Sequence, residues 1–223
     1  MTKVITVKRR ALAANEERAE KLRARFEASG TLVANLISSP GSGKTTLLEV
    51  TVRALDGELT MAVIEGDVAT ENDANRIRAL GVPAHQILTG GACHLDARQV
   101  ETGLQDGGLP EVDILFIENV GNLICPTTYD LGEDFKAVLL SVAEGDDKPV
   151  KYPAIFARAE VAVITKSDLL PHVPFDLESV KSQIASLNPN GTVVVTSSLQ
   201  GDGVDGWLDL LRARLEAKRQ KQG

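Results

Sequence analysis

The chain has 223 residues, 43% of them hydrophobic and 25% charged, which suits an α/β domain with a buried core. Its net charge of -7 argues against a sequence-independent grip on nucleic acid, which needs a basic face to displace counterions. Apolar runs are strand-sized, short of a membrane span, and two cysteines are too few for a disulfide framework, so a soluble cytoplasmic protein is expected.

The basic start, with Lys3, Lys8, Arg9 and Arg10, leads into no apolar signal core, so secretion is not indicated. Ala19, Leu22 and Phe26 recur at helical spacing, and Gly30 is a stop signal. The spacing predicts an amphipathic helical segment, residues 1–30, that packs on the domain or on a partner. Residues 31–218 read as one main domain, and 219–223 as a polar tail expected to fray.

Within the domain, a strand over 31–37 leads through a glycine loop into a helix over 44–55. A strand over 59–65, a helix over 72–80, a short strand over 85–88 and a helix over 95–105 follow. Strands are expected at 112–118, 135–142 and 161–165, then a helix over 176–187, a strand over 192–196 and a closing helix from 203 to about 218. Continuous apolar strands alternating with helices predict an α/β fold: a mostly parallel sheet with helices on both faces. The irregular stretch 119–133 follows a buried strand, and ligands in such sheets bind beyond the carboxyl ends of strands.

The loop Ser38-Ser39-Pro40-Gly41-Ser42-Gly43-Lys44-Thr45-Thr46 is a phosphate-binding loop, with Ser38 where the first glycine usually stands. Its glycines let backbone N–H groups curl around phosphate oxygens, and the helix opening near Lys44 points its positive end at the same anion. Lys44 is expected to reach the β- and γ-phosphates, and Thr45 to ligate Mg²⁺. Asp67 ends a strand and is placed to hold Mg²⁺ or its water, although Asp also caps turns. Glu118 ends another strand and could face the metal, while the Gly121 N–H could sense the γ-phosphate; a plain strand-ending turn is the alternative.

In Thr165-Lys166-Ser167-Asp168, the Asp168 carboxylate can accept from guanine N1 and its exocyclic amine, and the Lys166 stem would lie along the base. A surface turn with a helix cap would look similar. Thr196-Ser197-Ser198 could offer backbone N–H groups to the guanine carbonyl. Together these elements outline a GTPase, whose chemistry is mostly positioning and charge stabilisation. Asp73 is the candidate for orienting water, with a favourable helix first-turn charge as the alternative. No arginine is evidently placed to act in cis, so a neighbouring subunit is expected to supply positive charge.

Cys93-His94 precedes a helix, and Cys125 lies in the loop after Glu118. Thiolates with imidazole suit Zn²⁺ or Ni²⁺, and a dimer sharing ligands across a two-fold axis would complete the site. Two small buried hydrophobes remain the other reading of these cysteines.

Several distinctive loops occur in one order. They are Gly41-Ser42-Gly43-Lys44-Thr45-Thr46-Leu47-Leu48, Gly66-Asp67 with Asp73-Ala74, and Gly90-Gly91 with Cys93-His94-Leu95. Glu118-Asn119-Val120-Gly121-Asn122-Leu123 with Cys125-Pro126, and Glu144-Gly145-Asp146-Asp147-Lys148-Pro149 with Lys151-Tyr152-Pro153, complete them. From about residue 30 to 215 the chain resembles the hydrogenase nickel-incorporation GTPases, the HypB family. The resemblance implies a three-layer P-loop NTPase fold of the signal-recognition-particle/MinD-like (SIMIBI) class. It implies a Mg²⁺-dependent, GTP-dependent homodimer that helps load nickel into the [NiFe]-hydrogenase large-subunit precursor with a zinc-containing HypA-like chaperone.

The family's metal residues would fall on Cys93, His94 and Cys125, and its nucleotide residues on Lys44, Thr45, Asp67, Glu118 and Asp168. Lys151 would reach the nucleotide of the other subunit. A cysteine-rich or histidine-rich N-terminal nickel stretch, present in some members, does not appear in these residues, whose histidines are His85, His94 and His172. Three readings compete with this one: the urease-side nickel GTPase, a metal carrier using GTP only as a latch, and an ATPase.

Overall fold

The computed structural model describes residues 2–67 and 72–221. After Gly30, whose positive φ ends the preceding helix, the apolar run forms β1 (Leu32–Ser38), buried along its whole length. The other strands are β2 (Met61–Asp67), β3 (Ala84–Leu88), β4 (Ile114–Glu118), β5 (Phe135–Ser141), β6 (Val161–Thr165) and β7 (Thr192–Val195). All pair in parallel, in the order β3-β2-β4-β1-β5-β6-β7. A parallel sheet needs cover on both faces, which explains the absence of polar alternation in its central strands.

The helices are α1 (Thr2–Ser29), α2 (Lys44–Leu55), α3 (Asn72–Arg78), α4 (Ala97–Asp106), α5 (Lys148–Lys151), α6 (Pro153–Arg158), α7 (Leu177–Leu187) and α8 (Val204–Gln220). Successive strand residues point to opposite faces, so β1 divides its side chains between two layers. Leu32, Ala34 and Leu36 pack with Leu47 and Leu48 of α2, Ile77 of α3 and Trp207 of α8. Val33 packs on the opposite face with Ala19, Leu22 and Phe26 of α1 and Val100 of α4. Val138 and Leu140 of β5 meet Phe156 of α6 and Ile184 of α7 in that same outer layer. Each fully buried Leu or Phe of these clusters contributes about 1.5–3 kcal/mol.

The expected α/β architecture is present, and the expected N-terminal helix lies on the sheet as part of its outer layer. Two short helices, α5 and α6, were absent from the sequence reading. At the other end the last helix continues to Gln220, into the tail expected over 219–223, and Arg219 pairs with Asp113 near the start of β4; 222–223 lie outside the described residues. Among the described residues, no helix is long and apolar enough to cross a membrane.

Candidate nucleotide and metal sites

β1 stands between β4 and β5, and the chain leaves it toward β2 on one side and later toward β5 on the other. A crevice therefore opens beyond its carboxyl end. There the structure has a cavity of about 400 Å³, lined by Pro40, Gly41 and Gly43 to Thr46 of the loop and by Glu65, Asp67, Asp73, Glu118, Gly121 and Lys166. Gly41 and Gly43 hold φ of 76° and 94°, the left-handed conformations that turn successive amides inward. Gly43 caps α2, so the first turn of that helix faces the cavity.

Lys44 and Thr45 converge on Glu118. Lys44 Nζ donates to Ser38 Oγ at 2.9 Å and lies 3.8 Å from Glu118 Oε1, and Thr45 Oγ1 donates to that same oxygen at 3.1 Å. Ser38, standing in the position of a usual glycine, thus holds the lysine head. The β2–β4 register sets Glu65 beside Glu118. Glu65 Oε1 and Glu118 Oε2 are buried with no hydrogen-bond partner. Both carboxyls are pushed up by burial, Glu65 further by the Glu118 charge, to about 11. Two buried orphan oxygens beside a lysine and a threonine hydroxyl fit a divalent cation carrying phosphate oxygens.

Asp67 and Asp73 both line the cavity, and Asp73 pairs with Arg76 Nη1 at 3.3 Å. The expectation that no arginine is placed at the site in cis changes in one respect: Arg76 stands at the cavity wall. It is held by Glu49 at 3.0 Å and sets Nη2 3.4 Å from Thr46 Oγ1. Its signal in the sequence was slight: an Asp–Arg pair at helical spacing just past the Asp67 turn. Glu144 was also missed as a bracing group. It accepts from Ser42 Oγ at 2.6 Å and from the Ser141 N–H at 2.9 Å, and its Ser-x-x-Glu capping box was visible in the sequence.

On the base side, Thr165 Oγ1 donates to the Ser42 carbonyl at 2.6 Å and Lys166 Nζ to the Gly41 carbonyl at 2.8 Å. Lys166 has the single positive φ among described non-glycine residues, 58°. Asp168 Oδ1 accepts from Ser197 Oγ at 2.6 Å. The expected use of the 196–198 amides changes accordingly. Thr196 N–H donates to the Ile164 carbonyl and Ser197 N–H to the Asp202 carbonyl, both at 2.8 Å, so these two amides are already engaged within the fold. Ser198 follows in the turn after β7. Lys151, on α5, pairs with Asp147 on the surface and does not line the cavity.

The segment that leaves Glu118 runs straight to the sulfur site. A Cβ on Gly121 would lie 2.9 Å from Pro40 Cγ, so this backbone rests on the phosphate loop. Asn119 Oδ1 accepts from the Leu95 N–H at 3.1 Å, and Asn122 Nδ2 donates to the Cys93 carbonyl at 3.2 Å. The ligand atoms of Cys93, His94 and Cys125 lie within 4.8 Å of one another. Cys93 is exposed and Cys125 half-buried, which removes the reading of both as small buried hydrophobes. The neighbouring Cys125 sulfur, then burial, pushes the Cys93 thiol up, and burial pushes the His94 imidazole down. A neutral imidazole is the ligand form, and both thiols release a proton on binding metal. Two sulfurs and one ring nitrogen suit a soft or borderline divalent cation such as Ni²⁺ or Zn²⁺.

Residues 4–195 match the family model described as CobW/HypB/UreG, nucleotide-binding domain. The hydrogenase maturation factor HypB of Escherichia coli K12 is 50% identical over 200 residues, covering 90% of this chain and 69% of that protein. Among solved structures, hydrogenase maturation factor HypB from Archaeoglobus fulgidus superposes with a TM-score of 0.86 at 40% identity, covering 92% of this chain and all of that one. HypB from Helicobacter pylori in complex with nickel gives a TM-score of 0.85 at 42% identity, covering 93% and 96%. The signal recognition particle receptor FtsY from Elizabethkingia anophelis, at 15% identity and a TM-score of 0.56, shares the fold alone.

Proposed function

This chain belongs to the HypB hydrogenase maturation factors of the CobW/HypB/UreG nucleotide-binding family, and from that premise we propose that GTP in its cavity controls a nickel site built from Cys93, His94 and Cys125. The observation that carries this reading is one short segment. Glu118 stands in the phosphate cavity, Gly121 rests on the phosphate loop, and Cys125 stands beside Cys93 and His94.

In this reading Lys44 and the amides of Gly41, Ser42, Gly43 and Thr46 hold the phosphates. Thr45, Asp67 and Glu118 would hold Mg²⁺, which when bound would neutralise phosphate charge. Asp73 orients water toward the γ-phosphate, water adds at phosphorus, the bond to the GDP oxygen breaks with its electron pair staying on GDP, and the water's protons pass to the phosphate product and solvent. Thr165 and Lys166 brace the phosphate loop, Asp168 reads guanine, Ser197 supports that carboxylate, and the Ser198 N–H faces the guanine carbonyl.

Two copies meet on the nucleotide side, each sending Lys151 toward the partner's nucleotide. Exposed Lys151 and the exposed apolar side chains of Val150 and Ile124 support such an interface. The γ-phosphate holds the Gly121 segment, and its loss after hydrolysis relaxes the cysteines and releases Ni²⁺. Zn²⁺ suits the same donors. The delivery route runs in the cytoplasm, from a HypA-like zinc-containing chaperone to the [NiFe]-hydrogenase large-subunit precursor. The nickel complex of the Helicobacter pylori relative supports nickel as cargo.

Coupling between two sites is a reciprocal free energy, so GTP must change Ni²⁺ affinity. Ni²⁺ titration with GDP and with a nonhydrolysable GTP analogue should give affinities differing about 5–150-fold, the usual range of such couplings. Equal affinities would overturn the linkage. Unchanged steady-state hydrolysis in Asp73→Ala would remove Asp73 from the chemistry.

A further inference from the structure

The inward stripe of α1 consists of Asn15, Ala19, Leu22 and Phe26. Three of these are apolar, and Asn15 is a buried polar interruption, 6% exposed. Burying a carboxamide adds no stability over an apolar side chain unless its hydrogen bonds are made, so the partners of Asn15 are informative. Asn15 Nδ2 donates to the Asp130 carbonyl at 2.8 Å, and Asn15 Oδ1 accepts from the Ala97 N–H at 2.8 Å.

Those two backbone groups belong to the two segments that carry the metal-binding side chains. Ala97 opens α4, just beyond Cys93 and His94. Asp130 follows Cys125 and the 3₁₀ turn Cys125–Thr128. Between Cys125 and Asp130 stands Tyr129, whose ring lies against His94 with centroids 3.8 Å apart. A closed circuit results: Asn15 to Ala97, back along the chain to His94, across to the Tyr129 ring, on to Asp130, and back to Asn15.

The rest of α1 reinforces the second segment. Arg23 binds both carboxylate oxygens of Asp130 at 2.7 Å, and Gly132, at φ 80°, sits where a Cβ would meet Leu22 Cβ at 2.8 Å.

We propose that Asn15 is a positioning residue of the metal site, setting the Cys93–His94 segment and the Cys125–Tyr129 segment at their mutual spacing. The proposal rests on the reading of Cys93, His94 and Cys125 as metal ligands. Groups outside the first shell orient ligands, and losing one typically costs 10–100-fold in metal affinity. The N-terminal helix thereby becomes a part of the metal centre without supplying a ligand.

The test is Ni²⁺ titration of the full chain, followed by the thiolate-to-nickel absorption band, with GTP affinity measured on the same samples. The set comprises wild type, Cys93→Ala, Asn15→Ala, Asn15→Asp and Arg18→Ala. Asn15→Ala should bind Ni²⁺ about tenfold more weakly or worse, with an altered band and unchanged GTP affinity. Asn15→Asp keeps an acceptor for Ala97 and loses the donor to Asp130, so it should fall between. Arg18→Ala removes the ion pair to Glu101 that also ties α1 to α4, and should bind nickel as wild type does.

A wild-type band that is missing, or that Cys93→Ala leaves intact, overturns the metal site itself. A cysteine-dependent band that neither Asn15 variant alters overturns the role of Asn15 alone. So do parallel losses of nickel and GTP affinity, which would mean general loosening. A further measurement needs no variant. Nickel added to wild type should slow hydrogen exchange at the Ala97 amide, and unchanged exchange there counts against the proposal even if both Asn15 variants fail to fold.

Discussion

Glu65 and Glu118 put two carboxyls side by side in a buried floor, and folding has to deal with their protons. Below the ordinary carboxyl value of 4.5, Glu65 is protonated in both the folded and the unfolded chain. Above it, the unfolded chain gives up that proton while the folded one holds it toward about 11, chiefly because burial penalises the charge and then because of Glu118. Stability of the metal-free protein therefore declines as pH rises through that window. Glu65→Gln keeps the shape without the titration. In chelator it should melt above wild type near pH 9, with the gap closing near pH 5. Melting curves that stay parallel across pH would refute this.

Asp168 makes a second test at the same scale. Asp168→Asn weakens a charge-assisted pair worth about 1.5–3 kcal/mol, so competition binding should show GTP weakened roughly 10–100-fold and preference over ATP reduced. Lys44, Thr45 and Asp168 were legible in the sequence because their chemistry lies in short contiguous motifs. Glu65, Arg76, Glu144 and Asn15 were not, since each acquires its role by meeting a residue far away in the chain.

Among the elements, β1, α2 and β6 were read nearly to the residue because a long apolar run or a helix opening on a glycine loop has one solution. The short helices α5 and α6 escaped because Pro149 and Pro153, in their first turns, read as punctuation when no long periodic stretch follows. The last helix ran past its expected end because an ion pair from Arg219 to a distant aspartate holds it, which no local pattern announces. The segment from Glu118 to Cys125 was legible as irregular, but its contact with the phosphate loop was not. That contact is testable through Gly121→Ala. The added Cβ would sit 2.9 Å from Pro40 Cγ and 3.1 Å from Pro40 N, so the segment and the loop must separate. Overpacking of this kind costs about 1–3 kcal/mol. Nucleotide affinity should fall roughly tenfold, and Ni²⁺ affinity should lose its dependence on the nucleotide. A variant that retains both would show that the segment is not the link.

At the scale of the whole molecule, each chain builds a cavity around its own phosphate loop, while Lys151 stands outside that cavity on the surface. The proposed dimer gives that lysine a place in the partner's site, and this division of labour has an arithmetic consequence. Lys151→Ala and Asp73→Ala homodimers should each hydrolyse GTP poorly. Mixing equal amounts and letting subunits exchange makes about half of the dimers mixed, since pairing in a two-fold assembly is random. In a mixed dimer, the cavity that keeps Asp73 receives the intact Lys151 from its partner. The other cavity lacks both groups. The mixture should therefore recover about one quarter of wild-type hydrolysis, all from hybrid dimers, and recovery should vanish on dilution below the dimer dissociation constant. A mixture no more active than its parts would mean that Lys151 does not serve the partner's cavity. Lys151→Ala that hydrolyses GTP as wild type does, at concentrations where the dimer has dissociated, would mean that each chain works alone, and that Arg76, already beside Thr46, supplies the positive charge in cis.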